Sequence, residues 1–254
     1  MMDRAERSYC RSLLEVPAEP AEPVELALTL STPASHCPAC RAPIKPWHNI
    51  PVLGWLALRG KCAACGAGIS IQYPLVEAAT GALSAYCAWH FGWSLLLPAA
   101  LAMTWALVAL TLIDLKTLLL PDSITLPLMW LGLLLSLGNL FVGTGASIVG
   151  AAAGYLSLWS VYHLFRLATG KEGMGYGDFK LLAALGAWFG WSALPLIILL
   201  SSVAGAIVGL SLILFRKHDR NVPIPFGPYL AAAGWLMLVG GPQIEPVWRQ
   251  LFTS

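Results

Sequence analysis

Two aspartates and four cysteines are the residues of this chain whose types and spacing can do chemistry. Asp114 lies in LAMTWALVALTLIDLKTLLLPD, near the end of a long apolar run, and Asp178 lies in EGMGYGDFKLLAALGAW, at the mouth of another. The chain has only five aspartates, Asp3, Asp114, Asp122, Asp178 and Asp219, so a carboxylate bordering an apolar run is rare here. An ionisable group within or beside a membrane span is costly and is a functional candidate by default. If two such carboxylates meet, they do not both ionise easily and one proton is shared. One is then a general base for water, while its protonated partner polarises a carbonyl under attack. The glycines ahead of Asp178, Gly173, Gly175 and Gly177, permit close approach of backbone. A phosphate-binding loop is excluded, because no G-K-[ST] follows and no strand precedes.

Plainer roles compete. Asp178 also fits a helix N-cap, and Asp122 in LPDSITLP fits a turn or cap better than a catalytic place. Glu77 fits an interfacial acid. A carboxylate at the C-terminal end of a helix opposes the dipole, which makes a purely structural role for Asp114 harder to sustain. His163 on an apolar run reads as a packed side chain, and Lys180 as one that reaches for headgroups.

The cysteines form two C-x-x-C knuckles, Cys37-Pro-Ala-Cys40 and Cys62-Ala-Ala-Cys65, with 21 residues between them. That pattern suits tetrahedral thiolate coordination of zinc. Four protein ligands would close the site and make it structural. Two disulfides are the competing pattern, disfavoured if the segment lies in a reducing compartment. His36 and His48 lie nearby, but four cysteines already complete a site. Cys10 and Cys87 have no partner knuckle and read as free thiols.

The elements that must position these groups are apolar helices. Of 254 residues 57% are hydrophobic and 11% charged, with mean hydropathy +0.71, against about 25% charged in a soluble domain. Candidate spans run over roughly 74–92, 95–113, 124–142, 146–165, 179–190, 194–215 and 225–241. The fifth is shorter than the approximately 20 residues a crossing helix needs and would cross only with its neighbours' help. Residues 1–72 are soluble in character; Met1 to Thr32 is polar and acidic with no signal peptide, and its Pro/Glu-rich stretch EVPAEPAEP reads as an extended linker. A net charge of +2 gives no reason to expect nucleic acid. Basic residues favour the cytoplasmic side. Segment 1–73 and the loops carrying Lys116, Arg166, Lys171, Lys180, Arg216, Lys217 and Arg220 hold 14 of the 15, all but Arg249. Both aspartates fall on that face.

At this point the motifs carry a resemblance. GMGYGDFKLLAALGAW resembles the G-x-G-D signature of the GxGD intramembrane aspartyl proteases. IDLKTLLLPD and CPAC…NIPVLGWLALRGKCAAC…ISIQYPLVE resemble the corresponding motifs of the bacterial type 4 prepilin peptidases. PIPFGPYLAAAGW (223–235) is similar to that family's last recurring stretch. Four motifs in order cover roughly residues 36–235. The resemblance implies an all-α polytopic membrane protein of about seven transmembrane helices with a small N-terminal cytoplasmic four-cysteine zinc-knuckle segment. Its parts would be a polar segment (1–35), the knuckle segment (36–72) and a transmembrane aspartyl peptidase domain (73–254). It implies a multi-pass enzyme of the bacterial inner membrane, its active site facing the cytoplasm. Such an enzyme cuts the basic leader from type IV prepilins or type II secretion pseudopilins, typically after a Gly. It then methylates the new N-terminal residue with S-adenosyl-L-methionine. Carried over, the catalytic pair is Asp114 and Asp178, and the zinc ligands are Cys37, Cys40, Cys62 and Cys65. No glycine-rich fingerprint marks a methyl-donor pocket, so that site has no residues assigned.

Family members usually carry a further hydrophobic helix and a stretch resembling GSFLNVVIYRLP ahead of the cysteines. This sequence has neither, and restoring that helix would make eight spans. A catalytically inactive membrane scaffold of a secretion system is therefore the alternative expectation. A small transporter with Asp114 and Asp178 as proton-relay acids is a third, weakened because transport sites lie near the midplane.

Overall fold

A computed structural model describes residues 35–170, 174–216 and 225–253, with the side chains of 213, 215, 216 and 242–253 left aside. The polar segment 1–35 therefore lies almost wholly outside the described residues. So do Cys10, Gly173, Lys171, Glu172, Lys217, Asp219 and Arg220. The chain divides into two compact units, with the boundary between Leu75 and Val76.

The described part of the first unit is built on two matching knuckles. In the first, the Arg41 amide donates to the Cys37 carbonyl (2.8 Å) and the Cys37 amide to the Ala42 carbonyl (3.0 Å). In the second, offset by 25 residues, the Gly66 amide donates to Cys62 (2.9 Å) and the Cys62 amide to Ala67 (2.8 Å). The residue after each second cysteine is left-handed, Arg41 at φ 56° and Gly66 at φ 73°. Each knuckle closes with an isolated antiparallel bridge, His36 to Pro43 and Lys61 to Gly68. Between them run a 3-10 turn (Pro46–Asn49) and helix α1 (Leu53–Ala57). Gly54 admits the His48 carbonyl against its backbone, and the Trp55 indole donates to the Ile69 carbonyl at 3.0 Å. Those contacts hold the connecting loop in one shape.

The remaining elements are helices: α2 (Gln72–Phe91), α3 (Leu96–Thr117), α4 (Asp122–Leu137), α5 (Thr144–Thr169), α6 (Tyr176–Phe189), α7 (Leu194–Arg216) and α8 (Gly227–Thr253). They match the seven apolar runs read from the sequence, and no β-strand occurs among the described residues. Among those residues, α3, α5 and the stretch Trp191–Leu212 are long and apolar enough to cross a membrane, and α4 is a shorter apolar helix. Breaks fall where chain chemistry puts them. Pro121 precedes α4, while Gly170 (φ 70°) ends α5 with its amide on the Arg166 carbonyl, a left-handed glycine cap.

Helix α6 is the centre of the second unit. From Asp178 to Trp188 every residue but Lys180 is buried. A helix apolar on all sides must be enclosed, and α4, α5 and α8 all pack on it. Each offers a glycine at the contact. Gly150 and Gly186 lie backbone to backbone, so that a Cβ on either would run into the other's carbonyl, and Gly154 meets the Leu182 carbonyl in the same way. The run Gly150-Ala-Ala-Ala-Gly154 is a small-xxx-small surface of the kind that lets membrane helices approach closely. Gly132 of α4 accommodates the Trp188 ring, and Gly234 of α8 accommodates Leu185. Polar contacts close the far end: the Trp188 indole donates to the Leu128 carbonyl (2.8 Å) and the Ser147 hydroxyl to the Ala187 carbonyl (2.6 Å). At about 1.5 Å per residue, a 14-residue helix falls short of the hydrocarbon thickness. Its neighbours supply the solvation that lipid would otherwise give.

Candidate active site and metal centre

Asp114 sits one turn before the end of α3. The chain leaves that helix at Leu118, left-handed at φ 56°, with its amide on the Asp114 carbonyl. The reversal points the following segment inward, and Leu120 becomes buried. Asp178 sits in the first turn of α6, after the N-cap Gly175. Both side chains are nearly inaccessible, Asp114 at 5% and Asp178 at 7% exposure.

Leu120 ties the two acids' surroundings into one site. A Cβ on Gly177, the neighbour of Asp178, would lie 2.7 Å from the Leu120 Cβ. A Cβ on Gly227 would lie 3.1 Å from the Leu120 Cδ2 and 2.6 Å from the Asp114 Oδ2. The Gly227 amide, the first of α8, donates to that same Oδ2 at 3.0 Å. Asp114 therefore meets an unfavourable dipole from its own helix and a favourable one from the N-terminus of α8, while Asp178 occupies the N-terminal turn of α6. Each carboxylate faces the positive end of a helix. The glycines of the G-x-G-D stretch have separate jobs: Gly177 admits Leu120, whereas Gly175 has the Asp178 carboxylate and the Gly177 amide at ordinary contact distance.

Asp122 and Lys180 form a bidentate ion pair at 2.6 and 2.7 Å. Asp122 is the first residue of α4, and its carboxylate holds Lys180 rather than capping that helix. Lys180 is two residues beyond Asp178 yet turns to Asp122, which corrects the expectation that it reaches for headgroups. His163 is packed against the rings of Trp159 (4.3 Å) and Tyr162 (5.2 Å), a packed side chain as expected. The buried Cys87 is a free thiol against the Thr104 hydroxyl.

The Gly227 amide, the Leu120 wedge and the Asp122–Lys180 pair are absent from the sequence argument. Only Gly227 left a signal there, as a proline-flanked glycine at the head of an apolar run.

The four knuckle sulfurs, Cys37, Cys40, Cys62 and Cys65, lie within 4.8 Å of one another, with none of them in a disulfide. Cys37 and Cys65 are 3.9 Å apart at sulfur. A tetrahedral zinc with Zn–S bonds of about 2.3 Å needs sulfur separations of about 3.8 Å, so the cluster can hold such an ion after small shifts. Among the described residues it is the one cluster of three or more His, Cys, Asp or Glu suited to a metal. The thiols are already differentiated. Backbone hydrogen bonds from Cys65 and Ala64 pull Cys62 down to about 6. At Cys65 a bond from the Ala67 backbone also pulls downward, but the Cys40, Cys62 and Cys37 thiols and burial outweigh it and push the group up to about 11. Four close sulfurs cannot all ionise without a cation among them.

With this geometry in hand, comparison with known proteins is direct. Residues 101–210 match the Type IV leader peptidase family, and residues 9–91 match the bacterial peptidase A24 N-terminal domain. A Stutzerimonas stutzeri protein named prepilin leader peptidase/N-methyltransferase is 56% identical over 98% of this chain and 86% of its own length. Proteins of that name from Pseudomonas aeruginosa (52%, covering 98% and 85%) and Aeromonas hydrophila (54%, covering 96% and 83%) are similarly close. No solved structure matches. The chain belongs to the type IV leader peptidase family.

Proposed function

We propose that this chain, a protease and N-methyltransferase acting on prepilins, cleaves with Asp114 and Asp178 as its catalytic pair. The observation that carries the assignment is the burial of two carboxylates, each at a helix N-terminus, around one leucine side chain. In such a pair one proton is shared. The ionised member takes a proton from water as the oxygen attacks the scissile carbonyl, and the protonated member hydrogen-bonds the carbonyl oxygen. When the tetrahedral intermediate collapses, the C–N bond breaks and the departing amine takes up the proton that the ionised member drew from water. The Gly227 amide fixes one Asp114 oxygen and leaves the other for this work.

Type IV prepilins or type II secretion pseudopilins are the substrates we assign. S-adenosyl-L-methionine would supply the methyl group for the new α-amine, which gives up a proton, and would leave as the thioether S-adenosyl-L-homocysteine. We place the seven helices α2–α8 across the bacterial inner membrane, forming the peptidase domain (73–254), with the aspartates toward the cytoplasm. The knuckle segment (36–72), also cytoplasmic, holds structural zinc on Cys37, Cys40, Cys62 and Cys65. The asymmetry of basic residues supports that orientation. No observation favours the inactive-scaffold alternative.

The test is leader cleavage of a prepilin in membranes, comparing the parent chain with Asp114→Asn and Asp178→Asn. Both variants are expected to insert normally and to lose cleavage. Cleavage surviving in either one removes that residue from the mechanism.

A further inference from the structure

The loop between the knuckles carries a pattern that neither the peptidase pair nor the metal centre uses. Ile44, Trp47, Ile50, Leu53 and Leu56 recur every third residue, and all five are exposed, by 38–63%. The 3-10 turn Pro46–Asn49 has three residues per turn, and Leu53 and Leu56 are one turn apart in α1. Gly54 and Trp55 are taken up by internal contacts with His48, Gly60 and Ile69. The large apolar side chains therefore remain outside because the loop is folded, not because it lacks a core. Five exposed large apolar side chains on one short folded loop mark an interaction surface.

Charge says what kind. From Ser35 to Val76 the sequence has four basic residues, Arg41, Lys45, Arg59 and Lys61, and no acid. The Lys45 ammonium sits 5.4 Å from the centre of the Trp47 ring, a pairing of cation and indole suited to a headgroup layer. A zinc held by four thiolates has two negative charges, so the stretch from Ser35 to Val76 stays net positive. Between Ser35 and Val76 a basic leader peptide finds no counter-charge. The partner that satisfies both the apolar stripe and the unopposed cations is a surface with acyl chains beneath anionic headgroups.

We propose that Ile44–Leu56 is a membrane-interface stripe that seats the knuckle unit on anionic phospholipid. It rests on the membrane placement above, and only one residue, Ile71, separates Ser70 from the start of helix α2. The stripe enters the headgroup layer and the four cations hold it there.

The full chain, one copy per nanodisc, is compared in discs of phosphatidylcholine alone and of phosphatidylcholine with phosphatidylglycerol. Amide exchange over residues 44–58 is the readout. Exchange is expected to slow by about tenfold or more in the anionic discs, and high salt is expected to reverse this. Trp47→Ser/Leu53→Ser should abolish the slowing, as should Arg41→Gln/Lys45→Gln/Arg59→Gln/Lys61→Gln, with metal content unchanged in both as proof that the unit is folded. Equal protection in the two kinds of disc means that protein covers the stripe and overturns the proposal. So does fast exchange in both, or protection that appears only with two copies per disc. Failure of the chain to enter discs at all would instead count against the membrane placement.

Discussion

Gly227→Ala tests the site where its geometry is tightest. The added Cβ would lie 2.6 Å from the Asp114 Oδ2, closer than any real Cβ contact, so the carboxylate must move. Moving it breaks the Gly227 bond to that oxygen, 3.0 Å in the parent, and a hydrogen bond to a charged group is worth about 1.5–3 kcal/mol. At 1.4 kcal/mol per tenfold, the bond alone corresponds to roughly a 10- to 150-fold effect. Misplacing a reacting group by about 1 Å costs a similar factor of about 100. Leader cleavage should therefore fall about 10- to 100-fold in kcat, with unchanged insertion and metal content. Gly81→Ala is the control, since a Cβ there meets nothing within 4 Å. It should cleave at the parental rate. Parental activity in Gly227→Ala would refute the claim that this amide positions Asp114. A loss matched by Gly81→Ala would show that the assay reads folding rather than the site.

Three further outcomes follow from the packing and the metal centre. Asp122→Asn should retain cleavage within a few-fold in the same assay, because its carboxylate is half-exposed and engaged by Lys180, and an exposed ion pair contributes roughly 1 kcal/mol at most. Gly150→Val should abolish stable protein, as judged by protease resistance in membranes. Its branches would have to displace the α6 backbone at Gly186, an overpacking cost of about 3 kcal/mol or more. The chain should contain one zinc by elemental analysis, reduced in Cys62→Ser/Cys65→Ser and released as pH falls, because protons compete with metal for thiolates. After metal removal at neutral pH, Cys62, held near 6, is ionised while Cys65, near 11, is not. Mass spectrometry of iodoacetamide-treated protein should accordingly find Cys62 alkylated first.

What could be read from the sequence was whatever depends on a residue's rarity or on its near neighbours. Asp114 and Asp178 stood out because charge is scarce in these runs, and the knuckles because two C-x-x-C pairs define a ligand set without knowledge of the fold. Apolar runs located the seven helices, since each ends at local chemistry such as Gly170 or Pro121. What escaped was set by contacts between distant segments. Asp122 looked like a cap because that is its best local role, but Lys180, 58 residues on, offers a full charge within 2.7 Å. The Gly227 amide is 113 residues from Asp114, and nothing near Gly227 announces an acid. GAAAG at 150–154 was visible as small residues, yet its meaning requires knowing that α6 lies against it.

The arrangement around α6 also explains why the pair sits where it does. A carboxylate buried in an apolar bundle needs donors, and a bundle of complete helices has none to spare along its length. Free amides occur at helix N-termini, so an acid in this bundle is best placed where a helix begins. Asp178 does this within its own helix. Asp114, at the wrong end of α3, does it by borrowing the first amide of α8. Leu120, turned inward by the left-handed residue at 118, fills the space beside both glycines. Two helix starts, one helix end and one inward-turning loop thus converge, and none of the four would support a buried acid pair alone. The shortness of α6 belongs to the same logic, since a buried carboxylate in its first turn has to be enclosed by the neighbouring helices. Extending α6 at its N-terminus would move the free amides, and the site with them, out toward water.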